Sequence, residues 1–412
     1  MADVFDRLLD VKLADSKNRQ LLQLLETGKL YDNVATEIRG RKIQVHGKWL
    51  DDFASCNYLG FDLREDIMAS VLPAMRKWGT HPSWARLACS PELYTTVEKK
   101  LSELLGVEDT IIIPTISLLA VGLIPALTGK GSGIFADRYA HKVNFDGCRL
   151  ARDMGAKLFS FTHTDPAELD KLLTENAALT PKLVVVDGVL SVTGRTPNIP
   201  AIVEVAKKHD AIVYIDDAHG FGVIGEKPTP ERPYGVRGNG VVKHFGLSYD
   251  NILYVSGMSK AYSSLVAFVA CPAKLTKYLK TNITAYIYSG PVPTAALATA
   301  LAGLEVNERE GEQLRDKMYG FSKRIAEGYR AQGIATDNDN AFPIVSAYVG
   351  SADNVARGGQ LLFDEGINVT MQAYPIVPKD KGVLRATPTA ANTEDEIEHL
   401  IKAMGRVHNA LK

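Results

Sequence analysis

The sequence predicts an α/β protein with a large domain built on a seven-stranded, mainly parallel sheet and a smaller α/β domain towards the C-terminus. Between residues 110 and 270, seven short β-rich runs alternate with helical stretches, as in sheets that helices cover on both faces. A second α/β pattern begins at Phe342–Val349, after helix-rich sequence. The seven runs are Thr110–Pro114, Gly133–Ala136, Lys157–Phe161, Leu183–Val189, Ile212–Asp216, Ile252–Val255 and Ala267–Ala270.

The N-terminal segment is predicted to place helices and a hairpin before this sheet. Lys42–Phe53 alternates around Gly47 as hairpin strands do. We therefore expect a helical and hairpin segment over residues 1–60, a large domain over 61–300 and a small C-terminal domain over 301–412. The apolar residues at near-helical spacing are Phe5, Leu8, Leu9, Val11 and Leu13, and then Leu21, Leu22, Leu24 and Leu25.

Composition restricts the class of partner. The chain has 412 residues, of which 46% are hydrophobic and 23% charged, with a net charge of −1. Near-neutral charge argues against a nucleic-acid or anionic-membrane partner held by bulk electrostatics. No apolar run reaches the roughly 18–20 residues of a membrane span, and the N-terminus lacks a signal-peptide core. We expect a cytoplasmic protein.

The cysteines are spaced too widely for a disulfide framework or a zinc site. Cys56, Cys89, Cys148 and Cys271 include no CxxC pair and no cluster with the spacing of metal ligands. We expect four reduced thiols and no metal.

Lys260 is the first candidate for chemistry, because ligands of open α/β sheets bind beyond the carboxyl ends of the strands. It follows the strand Ile252–Val255 in the segment VSGMSKAYSS. A lysine in an apolar setting can have a lowered pKa and act as an amine nucleophile. A solvated lysine accounts for the same local pattern, so this signal is weak alone.

Asp216 and His219 end another run, in the segment IDDAHGFG. A carboxylate here could hold a pyridine nitrogen protonated, which makes pyridoxal 5'-phosphate (PLP) an electron sink. His219 would then lie near the phenolic oxygen of the ring. A metal site or a structural ion pair is the competing interpretation, although no further ligand at metal spacing is evident nearby.

Three further strand ends carry polar residues. Ser191 follows a buried run and could hydrogen-bond a ligand. His141, in ADRYAHKVNFDG, could stack on a cofactor ring or be an ordinary loop histidine. Thr115, Ile116 and Ser117 open a helix, whose N–H groups suit a phosphate, but the turn has little glycine.

The segments that contain these residues resemble the α-oxoamine synthase family, which belongs to the class II aminotransferase-like, fold-type I PLP enzymes. That family includes 8-amino-7-oxononanoate synthase, 2-amino-3-ketobutyrate CoA ligase, 5-aminolevulinate synthase and serine palmitoyltransferase. The segments occur in the family's order over roughly residues 40–400. They are FASCNYLGF, VEKKLSELLG, DRYAHKVNFDG, DGVLSVTG, IDDAHGFGVIG, HFGL, SGMSKAYSS and YPIVPKDKGVLRATPTAANT.

The resemblance implies roles for the residues of the cofactor ring. Lys260 corresponds to the lysine that forms the Schiff base and moves the Cα proton. Asp216 corresponds to the partner of the pyridine nitrogen, and His219 with Ser191 to the pair near the ring oxygen. His141 corresponds to the stacking histidine.

The resemblance also implies roles at the phosphate and the substrate. The PTIS turn falls where the family cradles the phosphate, and Ser289 matches a residue that reaches it from the neighbouring subunit of a homodimer. Arg385, in LRATPTA, corresponds to the clamp for the substrate carboxylate, for which a planar guanidinium is suited; a surface ion pair is the alternative. Asn57 matches an asparagine near the substrate.

The implied reaction is a decarboxylative Claisen-like condensation of an α-amino acid with an acyl thioester, either acyl-CoA or acyl-ACP, giving an α-amino ketone. His141 and His219 are candidates to polarise the developing oxyanion. Another reaction of the same fold and cofactor, such as that of an aminotransferase or a lyase, remains an alternative. A non-catalytic subunit would be expected to lack Lys260.

The chain departs from the family's pattern at several positions. Gly257 stands where the family usually has a phosphate-binding threonine, and Ser263–Phe268 is bulkier than the expected glycine-rich stretch. Trp84–Arg86 replaces a Gly-Ser-Arg stretch, Tyr94 replaces a histidine and Ala120 a common asparagine. These positions fall where phosphate and substrate contacts are expected, which favours a specialised biosynthetic enzyme.

Overall fold

The computed structural model describes residues 3–15, 22 and 32–412. The chain forms two compact units. The large unit is Asn57–Met318, and the small unit combines Met1–Cys56 with Tyr319–Lys412. Among the described residues, no helix is both long and apolar enough to cross a bilayer.

The strands are β1 Ala35–Arg39, β2 Lys42–Val45, β3 Lys48–Asp52, β4 Asp109–Ile113, β5 Gly133–Asp137, β6 Lys157–Phe161, β7 Lys182–Asp187, β8 Ala211–Asp216, β9 Ile252–Gly257, β10 Ala267–Cys271, β11 Val345–Gly350, β12 Ile367–Asn368, β13 Thr370–Gln372 and β14 Gly382–Ala386. The helices are α1 Val4–Leu13, α2 Glu65–Met68, α3 Val71–Trp78, α4 Glu92–Leu105, α5 Ile116–Leu127, α6 Lys142–Asp153, α7 Pro166–Glu175, α8 Ile199–Lys208, α9 Gly240–His244, α10 Ala273–Asn282, α11 Thr284–Tyr288, α12 Thr294–Ala331, α13 Ala352–Asp364 and α14 Glu394–Leu411.

The large unit contains the predicted seven-stranded sheet. Its strand order is β4-β10-β9-β8-β7-β5-β6. Strands β9, β8, β7, β5 and β6 pair in parallel, whereas β10 is antiparallel to both of its neighbours. The predicted mainly parallel sheet is therefore confirmed, and one antiparallel strand separates β4 from β9.

The central strands are continuous apolar runs because both of their faces are covered. The last five residues of β7, from Leu183 to Asp187, are all buried, as expected for a parallel strand between helical layers. Their register places Asp187 opposite Asp216 at the ends of β7 and β8. Two carboxyl groups thus meet at one edge of the sheet.

Helices α5 and α6 pack closely beside this edge. A Cβ atom at Gly147 of α6 would lie 2.5 Å from the backbone oxygen of Ala120 in α5, so only glycine permits this approach. Each helix begins at a candidate site residue: Thr115 caps α5 and His141 caps α6. The close packing fixes both helix starts relative to the strands.

The small unit has its own sheets and core. Strands β2 and β3 form the predicted hairpin, with Gly47 in the left-handed region at φ 76°, and β12 pairs with β3 in parallel. Strands β11, β14 and β13 form an antiparallel sheet. Helices α13 and α14 contribute Leu362 and Leu400 to a shared apolar core.

The first predicted N-terminal helix is present as α1. Asp3 caps it in a capping box with Asp6. Its apolar residues are exposed, including Phe5 and Leu9. Of the second predicted set, Leu21, Leu24 and Leu25 lie outside the described residues.

Candidate active site

Asp216 is held at the end of β8 by neutral donors. The side-chain amide of Asn144 donates to Asp216 Oδ2 at 2.9 Å and to Asp187 Oδ1 at 3.1 Å. The Ala218 N–H donates to Asp216 Oδ1 at 3.1 Å. Burial, together with the charge of Asp216, raises the pKa of Asp187 well above its usual value. One amide therefore orients two buried carboxyl groups.

His141 lies next to this carboxyl pair. Its backbone N–H donates to both oxygens of Asp187, at 3.1 and 3.0 Å. Burial lowers the pKa of the His141 imidazole. The Asp216 carboxylate raises this pKa, whereas the Lys260 ammonium adds to the lowering by burial. The imidazole therefore favours its neutral form, within electrostatic reach of both Asp216 and Lys260.

Lys260 is on the tight connection between β9 and the antiparallel β10. The Met258 N–H donates to the Val266 carbonyl at 2.7 Å and the Ser264 N–H to the Met258 carbonyl at 3.0 Å. The Ser263 N–H donates to the Lys260 carbonyl at 3.0 Å, and Ser263 adopts a left-handed backbone at φ 52°. The connection is thus closed by its own backbone, and the half-buried lysine lies at its tip.

Asn57 and Tyr58 contact two different parts of this region. Asn57 Oδ1 accepts a hydrogen bond from Ser263 Oγ at 3.1 Å, in the Lys260 connection. The Tyr58 hydroxyl lies 2.7 Å from Nδ1 of His219, and both side chains are buried. The motif predicted a role for Asn57 but none for Tyr58, although the segment FASCNYLGF contains both.

The remaining predicted residues of the large unit lie on separate segments. Ser191 is half-buried on the loop after β7. Thr115 Oγ1 accepts from the Leu118 N–H at 3.2 Å and caps α5, and Ser117 is exposed in its first turn. Ser289 follows α11, and its hydroxyl donates to the Gly290 carbonyl at 2.9 Å.

Ile116 and Gly257 are neighbours. A Cβ atom at Gly257 would lie 4.0 Å from Ile116 Cβ and 3.7 Å from Ser259 Oγ. The start of α5 therefore faces the end of β9, just before Lys260. Ser256 is less accessible, because it is fully buried and its hydroxyl donates to the Asp217 carbonyl at 3.0 Å.

Arg385 belongs to the small unit. It is 7% exposed on β14, so the surface ion pair considered as an alternative is wrong. Its Nη2 donates to Cys56 Sγ at 3.7 Å and lies 3.4 Å from Thr370 Oγ1. The guanidinium is thus bordered by a thiol and a hydroxyl of its own unit.

Tyr94, a departure from the family pattern, packs against Arg86 and stabilises the fold. The Arg86 guanidinium lies 3.7 Å from the centre of the Tyr94 ring and 3.1 Å from Glu98, and it donates to the Ile112 carbonyl of β4 at 3.2 Å. The Tyr94 hydroxyl accepts from the Val292 N–H at 2.6 Å. Both side chains are buried.

Comparison with known proteins identifies the family. Residues 52–404 match the model of the aminotransferase class I and II family. The chain belongs to that family. It is 30% identical over 374 residues to an 8-amino-7-oxononanoate synthase of Thermosipho melanesiensis, covering 90% of this chain and 92% of that one. It is 28% identical to a serine palmitoyltransferase of Bacteroides ovatus, covering 90% and 91%.

A solved structure of similar fold extends the comparison. Serine palmitoyltransferase from S. paucimobilis, with a bound PLP–myriocin aldimine, superposes with a TM-score of 0.88 at 25% identity, covering 100% of this chain and 99% of that one. The predicted resemblance to α-oxoamine synthases and the fold-type I architecture are confirmed. So is the prediction of a PLP-dependent transferase.

Proposed function

We propose that this protein is a PLP-dependent acyltransferase that condenses an α-amino acid with an acyl thioester and releases carbon dioxide. The product is an α-amino ketone, made in a specialised biosynthetic pathway. The observation that carries the proposal is the grouping of Asp216, His141 and Lys260 at one edge of the sheet, where the imidazole pKa responds to both charged groups. The matched relatives are named for enzymes of this reaction type.

The residues of this edge fit PLP. A carboxylate oriented by the Asn144 amide and the Ala218 N–H suits a protonated pyridine nitrogen, and the Lys260 amine suits an aldehyde. When bound, PLP supplies an electron sink that stabilises negative charge at the Cα atom of an amino acid. His219 and Ser191 are assigned to the ring oxygen.

The residues around the ring then have separate tasks. Lys260 would hold the cofactor through its amine, and its free amine would take the proton from the Cα atom of the amino acid. Asp216 keeps the pyridine nitrogen protonated. A neutral His141 would contact the ring and would donate a hydrogen bond to the oxyanion that develops on the thioester carbonyl. His219 is the second candidate donor to that oxygen.

The phosphate is assigned to the start of α5, which Thr115, Ile116 and Ser117 form and where Ile116 lies next to Gly257. Backbone N–H groups at a helix N-terminus bind phosphate oxygens. Ser259 is the better substitute for the missing threonine hydroxyl, because Ser256 is already bonded to the Asp217 carbonyl.

The residues that bind the substrate are assigned from the resemblance to the α-oxoamine synthase family. Arg385 would bind the carboxylate of the amino acid, and Asn57 would contact the substrate. Ser289 would reach the phosphate of the neighbouring subunit, which requires a homodimer with shared active sites. A cytoplasmic location agrees with the small-molecule substrates.

A product assay tests the proposal. The purified protein, loaded with PLP, is incubated with single amino acids and with acyl-CoA or acyl-ACP of increasing chain length. We expect at least one pair to release free thiol and carbon dioxide in equal amounts, which a thiol reagent and a coupled carbon dioxide assay detect. Exchange of amino groups with keto acids, without thiol release, would instead support an aminotransferase and contradict the proposal.

A further inference from the structure

Asp217, which directly follows Asp216, is a fully buried carboxylic acid to which no step of the proposed reaction assigns a role. Its Oδ2 accepts hydrogen bonds from the Tyr254 hydroxyl at 2.7 Å and from the Val241 N–H at 2.8 Å. Its backbone N–H donates to the Val255 carbonyl at 2.8 Å. This single residue therefore connects the end of β8 with β9 and with the start of α9.

Two glycines pack against the same carboxyl group. A Cβ atom at Gly188 would lie 2.4 Å from Asp217 Oδ1, and one at Gly220 would lie 2.1 Å from it. Carbon and oxygen atoms do not approach so closely without repulsion. Gly188 directly follows Asp187, and Gly220 directly follows His219. The segments that carry these two site residues therefore rest on the Asp217 side chain.

This carboxyl group is costly to bury. Burial raises the pKa of Asp217 to about 7, and the neighbouring Asp216 carboxylate raises it as well, while the Val241 N–H and the Tyr254 hydroxyl lower it. The phenol of Tyr249 is a further titratable group within its field. Because an apolar side chain would avoid the desolvation cost, folding stability alone does not account for an aspartate here.

We propose that Asp217 is a positioning residue, whose carboxyl group holds the segments of Asp187, Asp216 and His219 in the arrangement that binds the cofactor. The inference rests on the proposed function, which assigns Asp216 and His219 to PLP. Asp217 acts through these residues and does not itself touch the cofactor.

Two substitutions distinguish the positioning effect of the Asp217 side chain from the effect of its charge. Asp217→Ala removes the group on which the segments rest, and we expect PLP to bind at least about tenfold more weakly. Asp217→Asn keeps the shape and an oxygen that accepts from Tyr254 and Val241, so PLP affinity should stay within about twofold of wild type. The PLP dissociation constant is measured by absorbance titration, with circular dichroism to verify folding.

A matched control removes a carboxylate at the opposite edge of the same sheet. Asp109, at the start of β4, accepts from Thr276 Oγ1 at 2.7 Å. Asp109→Ala should lower the melting temperature without changing PLP affinity, which distinguishes a loss of position at the site from a general loss of stability. If Asp217→Ala does not fold, Tyr254→Phe removes one of the two bonds to the carboxyl group and should weaken PLP binding about threefold.

Three results would overturn the inference. A folded Asp217→Ala variant, or a folded Tyr254→Phe variant, that binds PLP as wild type does would exclude a positioning role. An Asp217→Asn variant that loses as much affinity as the alanine variant would assign the effect to charge. Wild-type protein that takes up no PLP would instead refute the proposed function, and the inference with it.

Discussion

The two edges of the seven-stranded sheet hold polar residues in different ways. Where β7 and β8 end, Asp187 and Asp216 are buried and share the amide of Asn144. At the opposite edge, Lys274 and Asp250 are exposed and line a groove of about 710 Å³. This groove thus lies at the edge with the ordinary charges.

The difference shows which signal identifies the active site. Exposed charges cost little and contribute little, so the groove needs no function to explain it. Buried carboxyl groups with raised pKa values are costly and concentrate at functional sites. Burial and hydrogen bonding, rather than cavity volume, therefore identify the edge that carries Asp216 and Lys260.

Replacing a lysine at each edge should give the largest contrast. Lys260→Ala should abolish the absorbance of bound PLP at roughly 410–430 nm and lower kcat/KM by about 1,000-fold or more, because the nucleophile and base is lost. Lys274→Ala should leave both unchanged. Spectra and product assays on the two purified variants check this; equal losses in both would contradict the assignment of the site.

Replacing an aspartate at each edge should give a smaller effect. Asp216→Asn cannot hold the pyridine nitrogen protonated, so kcat should fall by about 100-fold or more. Asp250 is exposed, lies 3.7 Å from Lys207 and accepts from Ser248 Oγ at 2.6 Å. The kcat of Asp250→Asn should stay within about twofold of wild type. Steady-state kinetics with a saturating amino acid test both; an active Asp216→Asn enzyme would argue for the structural ion pair considered from sequence.

The pH dependence of folding should also differ between the edges. The pKa of Asp217 rises from its usual 3.8 to about 7 on folding, so the native state binds more protons than the unfolded chain between these values. Its contribution to stability therefore falls as the pH rises from about 4 to 7, with a limiting slope of about 1.4 kcal/mol per pH unit. Urea unfolding of wild type and Asp217→Asn measures the difference.

The asparagine variant should thus gain stability relative to wild type between pH 5 and pH 8, by roughly 1–3 kcal/mol. Asp250→Asn serves as the control and should show no such trend. A difference that does not change with pH would mean that Asp217 is already ionised in the native protein at low pH.

The smallest predicted effect concerns the missing threonine. The nearest atom to a Cβ at Gly257 would be the Val266 carbonyl oxygen at 3.6 Å, which leaves room for a side chain. Gly257→Thr should fold normally and tighten PLP binding about threefold, because its hydroxyl can donate to the phosphate. Gly220→Ala, whose Cβ would lie 2.1 Å from Asp217 Oδ1, should weaken binding. If Gly257→Thr bound PLP more weakly than Gly220→Ala, the assigned phosphate position would be contradicted.

The central site residues were predictable because they lie at or just beyond the ends of buried strands. Asp216 ends an apolar run, His141 and Lys260 follow one by a few residues, and the family's motifs gave them roles. Asn144 was missed: it lies within the quoted segment DRYAHKVNFDG, but its bonds to two aspartates depend on strand register. The signal available was an amide on the first turn of a helix that follows a strand-end histidine.

Contacts between distant segments could not be predicted. The apolar run of β10 has the composition of a parallel strand, and burial on both faces removes the alternation that would identify its pairing. The hydrogen bond between Tyr58 and His219 joins segments that are distant in the sequence. The contact of Arg86 with Tyr94 depends on how the short segment between them folds. The sequence pattern therefore predicted the positions of the strands, but not that β10 runs antiparallel to its neighbours.

The attachment point of the cofactor tests the central claim most directly. The protein loaded with PLP is reduced with borohydride, which fixes the cofactor to the lysine that holds it, and digested for mass spectrometry. We predict that the label is found on the peptide containing Lys260. A label on Lys243 or Lys274 in the groove at the opposite edge, or no label at all, would contradict the account.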